Sequence, residues 1–171
     1  GGKCNNLLVD GVNLQAMVTL YKYRGTVDLI VTDPPYNVAY EGTAGTIQND
    51  SMEDGKFYEF LFSAFKCMYD VCADGASIYV FHADKESINF RTAFRDAGFF
   101  CHQTCIWVKN TPVLGRCDYQ YCHEPILVGW KPTAGHKWYS DRKQRTVWNF
   151  DKPKKSELHP TTKPIPLVAY P

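Results

Sequence analysis

An α/β fold, with a mostly parallel sheet and helices on both its faces, is the class this sequence predicts. Three observations predict it. Short apolar runs rich in β-branched residues recur along the chain, chief among them Val27–Thr32. Between several of them lie segments whose apolar residues repeat at helical spacing. These intervals are too long for tight hairpins, and helical crossovers join strands that run parallel.

The elements follow in order. Leu7-Leu8-Val9 is a short strand candidate ending at Asp10-Gly11, and Val27–Thr32 is a stronger one stopped by two prolines. Residues 37–52 are polar and read as a loop. From 56 to 72, Phe57, Phe60, Leu61, Ala64, Phe65, Met68 and Val71 mark one helical face. Asp74-Gly75 ends that helix and residues 77–82 return to strand. Asp84 is a candidate N-cap for a helix over 84–97, with Gly98 as its stop. Strands are expected at 104–109 and 125–130. Residues 131–158 are basic, aromatic and rich in turn formers, and read as a long loop of the kind that carries function. A last short helix is expected near Lys163-Pro164, capped by Thr161 or Thr162. The 171 residues form one domain.

Composition is that of an ordinary globular chain, 44% hydrophobic and 22% charged. The net charge of +1 hides a division. Residues 1–101 hold eight Lys/Arg against 13 Asp/Glu, whereas residues 102–171 hold 11 against five. A basic later part suits a polyanionic partner, and equally a merely solvated surface. Seven cysteines, several inside apolar runs, read as reduced thiols of a cytosolic protein with no membrane span. Cys117, Cys122 and His123 lack C-x2-C spacing, so no metal site is assigned.

The chemistry concentrates at Asp33-Pro34-Pro35-Tyr36. An acidic residue at the carboxyl end of a buried parallel strand lies where open α/β sheets bind ligands. Two prolines fix the backbone and remove two amide donors, so the Pro34 carbonyl remains beside the Asp33 carboxylate as a second acceptor. A planar exocyclic amino group, with two N–H donors, matches that pair. Tyr36 can stack on the ring that bears it. Drawing both N–H bonds toward acceptors frees the nitrogen lone pair to attack a methyl group, with positioning as the main catalytic device. A base in a duplex must first be flipped out.

These segments resemble the N6-adenine/N4-cytosine DNA methyltransferases, in the group whose catalytic motif precedes its cofactor motif. Val27 to Asn37 looks like the catalytic segment, with the Asp33 usual for adenine enzymes. His159-Pro160-Thr161-Thr162-Lys163-Pro164 looks like the second marker. Ile106-Trp107-Val108-Lys109-Asn110, Leu114 to Tyr119, and His123-Glu124-Pro125-Ile126-Leu127 resemble the subgroup of phages and mobile elements. The resemblance implies a partial Rossmann-like methyltransferase sheet and S-adenosylmethionine as methyl donor. It implies Asp33, Pro34, Pro35 and Tyr36 as catalytic residues, and donor contacts at Asp33, Thr162 and Lys163. The family's glycine-rich cofactor loop is expected after the last helix and does not occur before Pro171. A truncated chain is therefore expected. Its Val27–Thr32 strand would be left as an edge and a possible homodimer contact. Reading on cytosine N4, or as a non-catalytic DNA-binding remnant, stays open.

Other residues carry paired readings. Asp10 either contacts the donor's adenosine part or forms a turn with Gly11. His82 and Asp84 either wall the pocket or serve as packed side chain and helix cap. Lys163 either meets the donor carboxylate at a helix start or faces solvent. Lys109, Arg116, Lys137, Arg142, Lys143 and Arg145 are interleaved with aromatics and are the expected contacts to double-stranded DNA.

Overall fold

The computed structural model describes residues 21–37, 41–42, 45–46, 53–153 and 162–171. The expected strand at residues 7–9, Asp10 and the segment His159-Pro160-Thr161 lie outside the described residues. Strands β1 (Val27–Thr32), β4 (Cys72–Phe81), β5 (Phe100–Val113), β6 (Tyr121–Trp130) and β7 (Val147–Asn149) build one sheet in the order β1-β4-β6-β5-β7. A two-residue ladder, β2 (Glu41–Gly42) with β3 (Gly45–Thr46), stands apart from it. The helices are α1 (Asp54–Val71), α2 (Ser87–Asp96) and α3 (Ile165–Val168).

Four of the five sheet strands point one way. β1 pairs parallel with β4 and β7 parallel with β5, while β6 runs antiparallel between β4 and β5. The fold is mixed α/β with a mostly parallel sheet, as expected. The reversed strand arises because β5 and β6 are joined by a hairpin rather than a helix. Its loop is clamped by Gln120, whose amide bonds Gly115 N, Gly115 O and Cys117 O at 2.7, 3.2 and 2.9 Å. Pro125 lies just past the last β4 partner of β6, Phe81↔Ile126. Its missing N–H therefore falls where that ladder has ended.

Strand β4, interior to the sheet between β1 and β6, is buried on both faces, and its side chains alternate between two cores. Ile78 and Val80 join Phe57, Leu61 and Phe65 of α1 and Phe90 and Phe94 of α2. There Phe65 meets Phe90 and Phe94 edge to face, with centroids 6.3 and 5.6 Å apart. Each such buried ring contributes about 1.5–3 kcal/mol of apolar transfer. Tyr79 and Phe81 point to the other core with Trp107, Ile126, Trp148 and Leu167. Both tryptophans satisfy their N–H: Trp107 donates to Phe150 O at 2.7 Å and Trp148 to Arg145 O at 2.9 Å.

Several expectations shift. The two faces are not covered alike: α1 and α2 share one, and the described helix on the other is the single-turn α3. Asp84 does not cap by its side chain. A 3-10 turn, Asp84–Glu86, opens there with Ala83 as the capping residue. The last helix likewise starts at Ile165, because Pro164 is still extended (φ −65°, ψ 136°). Gly98 does end the second helix, at φ 109°. The expected loop 131–158 contains β7. Among the described residues β1 is an edge, with Leu29 45% exposed.

Candidate active site

The ends of β1 and β4, the β5–β6 hairpin and the stretch before α3 converge. Thr32, the last residue of β1, is in parallel register with Val80 of β4. Asp33 consequently leaves the sheet at its carboxyl edge, beside Phe81 and His82. Pro34 is buried and Asp33 open to solvent. Asn37 then takes a left-handed φ of 56°, a conformation Asn tolerates better than most residues, and turns the chain away. Across the hairpin Trp107 is paired with Glu124. Lys109, two residues on, points to the same face as Trp107. The stretch before α3 brings in Lys163.

The side chains of these four segments form one network. Tyr36 Oη lies 2.6 Å from Asp33 Oδ1 and 2.9 Å from Glu124 Oε2. The Lys163 ammonium lies 2.8 Å from Asp33 Oδ2 and 3.2 Å from Glu124 Oε2. Lys109 binds the other Glu124 oxygen, Oε1, at 2.5 Å. Both lysine side chains are only 7% exposed and Glu124 16%, against 37% for Asp33. Aromatic rings wall the ammoniums. Lys163 Nζ stands 5.2 Å from the Tyr36 ring centroid and 5.3 Å from that of Phe81, and Lys109 Nζ 4.9 Å from that of Trp107.

Two ammoniums and two carboxylates make the cluster electrically neutral. That balance is what lets it be buried. Burial pushes Glu124 upward, but Lys163 and Lys109 override it and hold the carboxyl below its usual range. Burial pushes Lys163 downward, and Asp33 and Glu124 reverse that, so its pKa is raised. Tyr36 is driven well above the ordinary phenol value by burial, reinforced by the charges of Asp33 and Glu124. Its hydroxyl therefore keeps its proton at neutral pH and acts as a donor.

The catalytic candidates Asp33, Pro34, Pro35 and Tyr36 occupy one turn, and Lys163 is brought into direct contact with Asp33. Thr162 is exposed beside it. Lys109 is not on the surface where a phosphate contact was expected, because its ammonium is consumed by Glu124. Arg116, Lys137, Arg142, Lys143 and Arg145 are all exposed. His82 is 1% exposed, stacked on Phe90 at 5.2 Å, with Nδ1 3.2 Å from Val80 O. Sequence reading missed Glu124. A signal was present: one acid heading an apolar strand, and a lysine two residues beyond Trp107, its cross-strand partner. An open hollow of about 310 Å³ on the hairpin loop is lined by residues 117–121 and His123, and by none of the cluster.

With this geometry in view, comparison with known proteins is decisive for the family. The N6/N4 methyltransferase model, described as DNA methylase, matches residues 27–170. The chain belongs to this family. M.HpaI, a type II methyltransferase of Haemophilus parainfluenzae, is 25% identical over 167 residues. That match takes in 84% of this chain and 52% of M.HpaI, so the chain spans about half the length of this curated relative. Among solved structures, the M1.HpyAVI–SAM complex superposes with a TM-score of 0.61 at 19% identity, covering 90% of this chain and 68% of that one. TTHA0409 from Thermus thermophilus gives 0.59 at 18% identity, over 80% of this chain and 65% of its own. These likenesses establish the shared fold. Among the described residues no helix is long and apolar enough to cross a membrane.

Proposed function

We propose that this chain is part of an enzyme that methylates the N6 amino group of adenine in DNA, using S-adenosylmethionine. The observation that carries the proposal is Asp33, a partly exposed carboxylate at the sheet edge whose neighbours fix it from both sides. It would accept one N–H of the amino group and the Pro34 carbonyl the other, with the Tyr36 ring against the base. Lys163 and Tyr36 hold Asp33 in place, so little reorganisation is needed on binding.

The site fits the methyl donor. Asp33 is open enough to meet the donor's ammonium, and Lys163 spends two of its three N–H bonds on carboxylates, leaving one for the donor's carboxylate. Asp33, Thr162 and Lys163 are the proposed contacts, with Asp10 as a further candidate. The bound donor would supply an electrophilic methyl group on sulfonium sulfur. M1.HpyAVI has been solved with the same compound. On the DNA side, the exposed Arg116, Lys137, Arg142, Lys143 and Arg145, with Trp138 53% and Tyr139 88% exposed, form a basic and aromatic surface suited to phosphates and unstacked bases.

Cytosine N4 is the competing target, since the family takes in both amino groups. Labelled methyl transfer into DNA, followed by digestion to nucleosides, decides between them: the proposal expects N6-methyladenine, and label in N4-methylcytosine defeats it. Asp33→Ala should abolish transfer while leaving DNA affinity nearly unchanged. A second reading, a DNA-binding piece without turnover, draws on the exposed Arg116, Lys137, Arg142, Lys143 and Arg145, which would meet phosphates whether or not the site turns over. Calorimetry of donor binding to the 171 residues tests whether the donor site is intact, and labelled methyl transfer by the same residues defeats that reading.

A further inference from the structure

The Tyr36 hydroxyl has one hydrogen and two carboxylates within reach, Asp33 at 2.6 Å and Glu124 at 2.9 Å. It can donate fully to only one of them at a time. Lys163 faces the same two acids, but an ammonium has three hydrogens and serves both without choosing. The shorter contact makes Asp33 the favoured acceptor in the free protein. Asp33 is also the group that must take an N–H from the incoming amino group, on the reading proposed above. A carboxylate already bonded by Tyr36 on one oxygen and Lys163 on the other is a poorer acceptor for a third donor.

We propose that Glu124 is a positioning residue that takes over the Tyr36 hydrogen bond when an amino group occupies Asp33. The hydroxyl swings its single hydrogen from Asp33 Oδ1 to Glu124 Oε2. Asp33 Oδ1 is thereby released to the substrate, and no buried O–H is left without an acceptor. Glu124 suits this role because it is fixed. Lys109 grips its far oxygen at 2.5 Å and keeps Oε2 aimed at Tyr36. It also stays ionised, held so by two ammoniums. The tyrosine ring need not move, so its stacking face is preserved while the hydroxyl changes partner. Deprotonation of Tyr36 is not involved, in keeping with its raised pKa.

The inference rests on the amino-group reading of the site, and two experiments on the full protein separate the two. In the first, methyl transfer is measured for Glu124→Gln, Tyr36→Phe and the double variant. Glu124→Gln should lower kcat about 10-fold with KM for DNA and donor little changed, and by less than about 3-fold once Tyr36 is already Phe. Equal losses in both backgrounds, or a loss confined to KM, overturn the proposal. In the second, tyrosine labelled with 13C at Cζ reports the Tyr36 hydrogen bond without turnover. Asp33→Asn marks the signal of the Glu124-bonded state and Glu124→Gln that of the Asp33-bonded state. Adding a short oligonucleotide should move the wild-type signal toward the Asp33→Asn position. A signal that stays put, or moves the other way, overturns the exchange. Adenine and cytosine both carry an amino group, so failure of the adenine assignment leaves this second readout intact.

Discussion

At the scale of the residue, two lysines of similar sequence appearance have opposite surroundings. Lys109 is sealed against Glu124, whereas Lys137 is open to solvent. Lys109→Met should leave the outer oxygen of Glu124 without its donor and cost about 1–3 kcal/mol in chemical denaturation. Lys137→Ala should change stability by no more than about 0.5 kcal/mol. If the exposed basic residues meet phosphates, Lys137→Ala and Arg142→Ala should each lower the salt slope of DNA binding by about one unit. Lys109→Met should leave that slope unchanged. The Asp33-Pro34-Pro35-Tyr36 turn was legible from sequence because its residues are neighbours. Glu124 was not, because its role depends on meeting Tyr36 across 88 residues.

At the scale of the element, Phe94 of helix α2 packs over Gly129 of β6, which leaves no room for a side chain. A Cβ built there would stand 2.1 Å from Phe100 O and 2.8 Å from the Phe94 ring. Gly129→Ala should therefore force the hairpin and α2 apart, lowering stability by about 1–3 kcal/mol, readable as a lower midpoint in urea. The helical periods of α1 and α2 were visible in sequence because each buries one face. The direction of β6 was not, since a strand buried on both faces carries no periodic mark of its neighbours. Helix starts also moved, at Ser87 and Ile165, where a 3-10 turn and an extended proline take the place of side-chain caps. Element boundaries depend on such local competition more than on hydrophobic pattern.

For the molecule as a whole, stability should be greatest in a broad neutral window. Burial depresses the pKa of His82, so the folded state resists its protonation. The folded value lies below the unfolded one, so stability present above about pH 6.5 should decline as pH falls toward the folded value. Glu124 acts in the same direction lower down: its stabilisation is complete above the unfolded value near about 4.3 and is lost as pH falls through its folded value. Lys163 bounds the other side. Its raised pKa gives stability that is complete below about 10.4 and lost as pH rises through the folded value. Thermal melts across pH check this. His82→Phe should remove the first decline while leaving the second, and an unchanged profile would count against His82 as its source. By itself the sequence determined the α/β class, the helical faces, the Asp33–Tyr36 turn and the basic character of the later segment. Those depend on local composition, on period, and on residues adjacent in the chain. Only the tertiary structure decided the antiparallel place of β6, the burial of Lys109 and the convergence of Glu124 and Lys163 on Tyr36 and Asp33. Each of these is a pairing between distant segments, fixed by strand register and by the need to neutralise the charges of Lys109, Lys163 and Glu124, which are largely withdrawn from water.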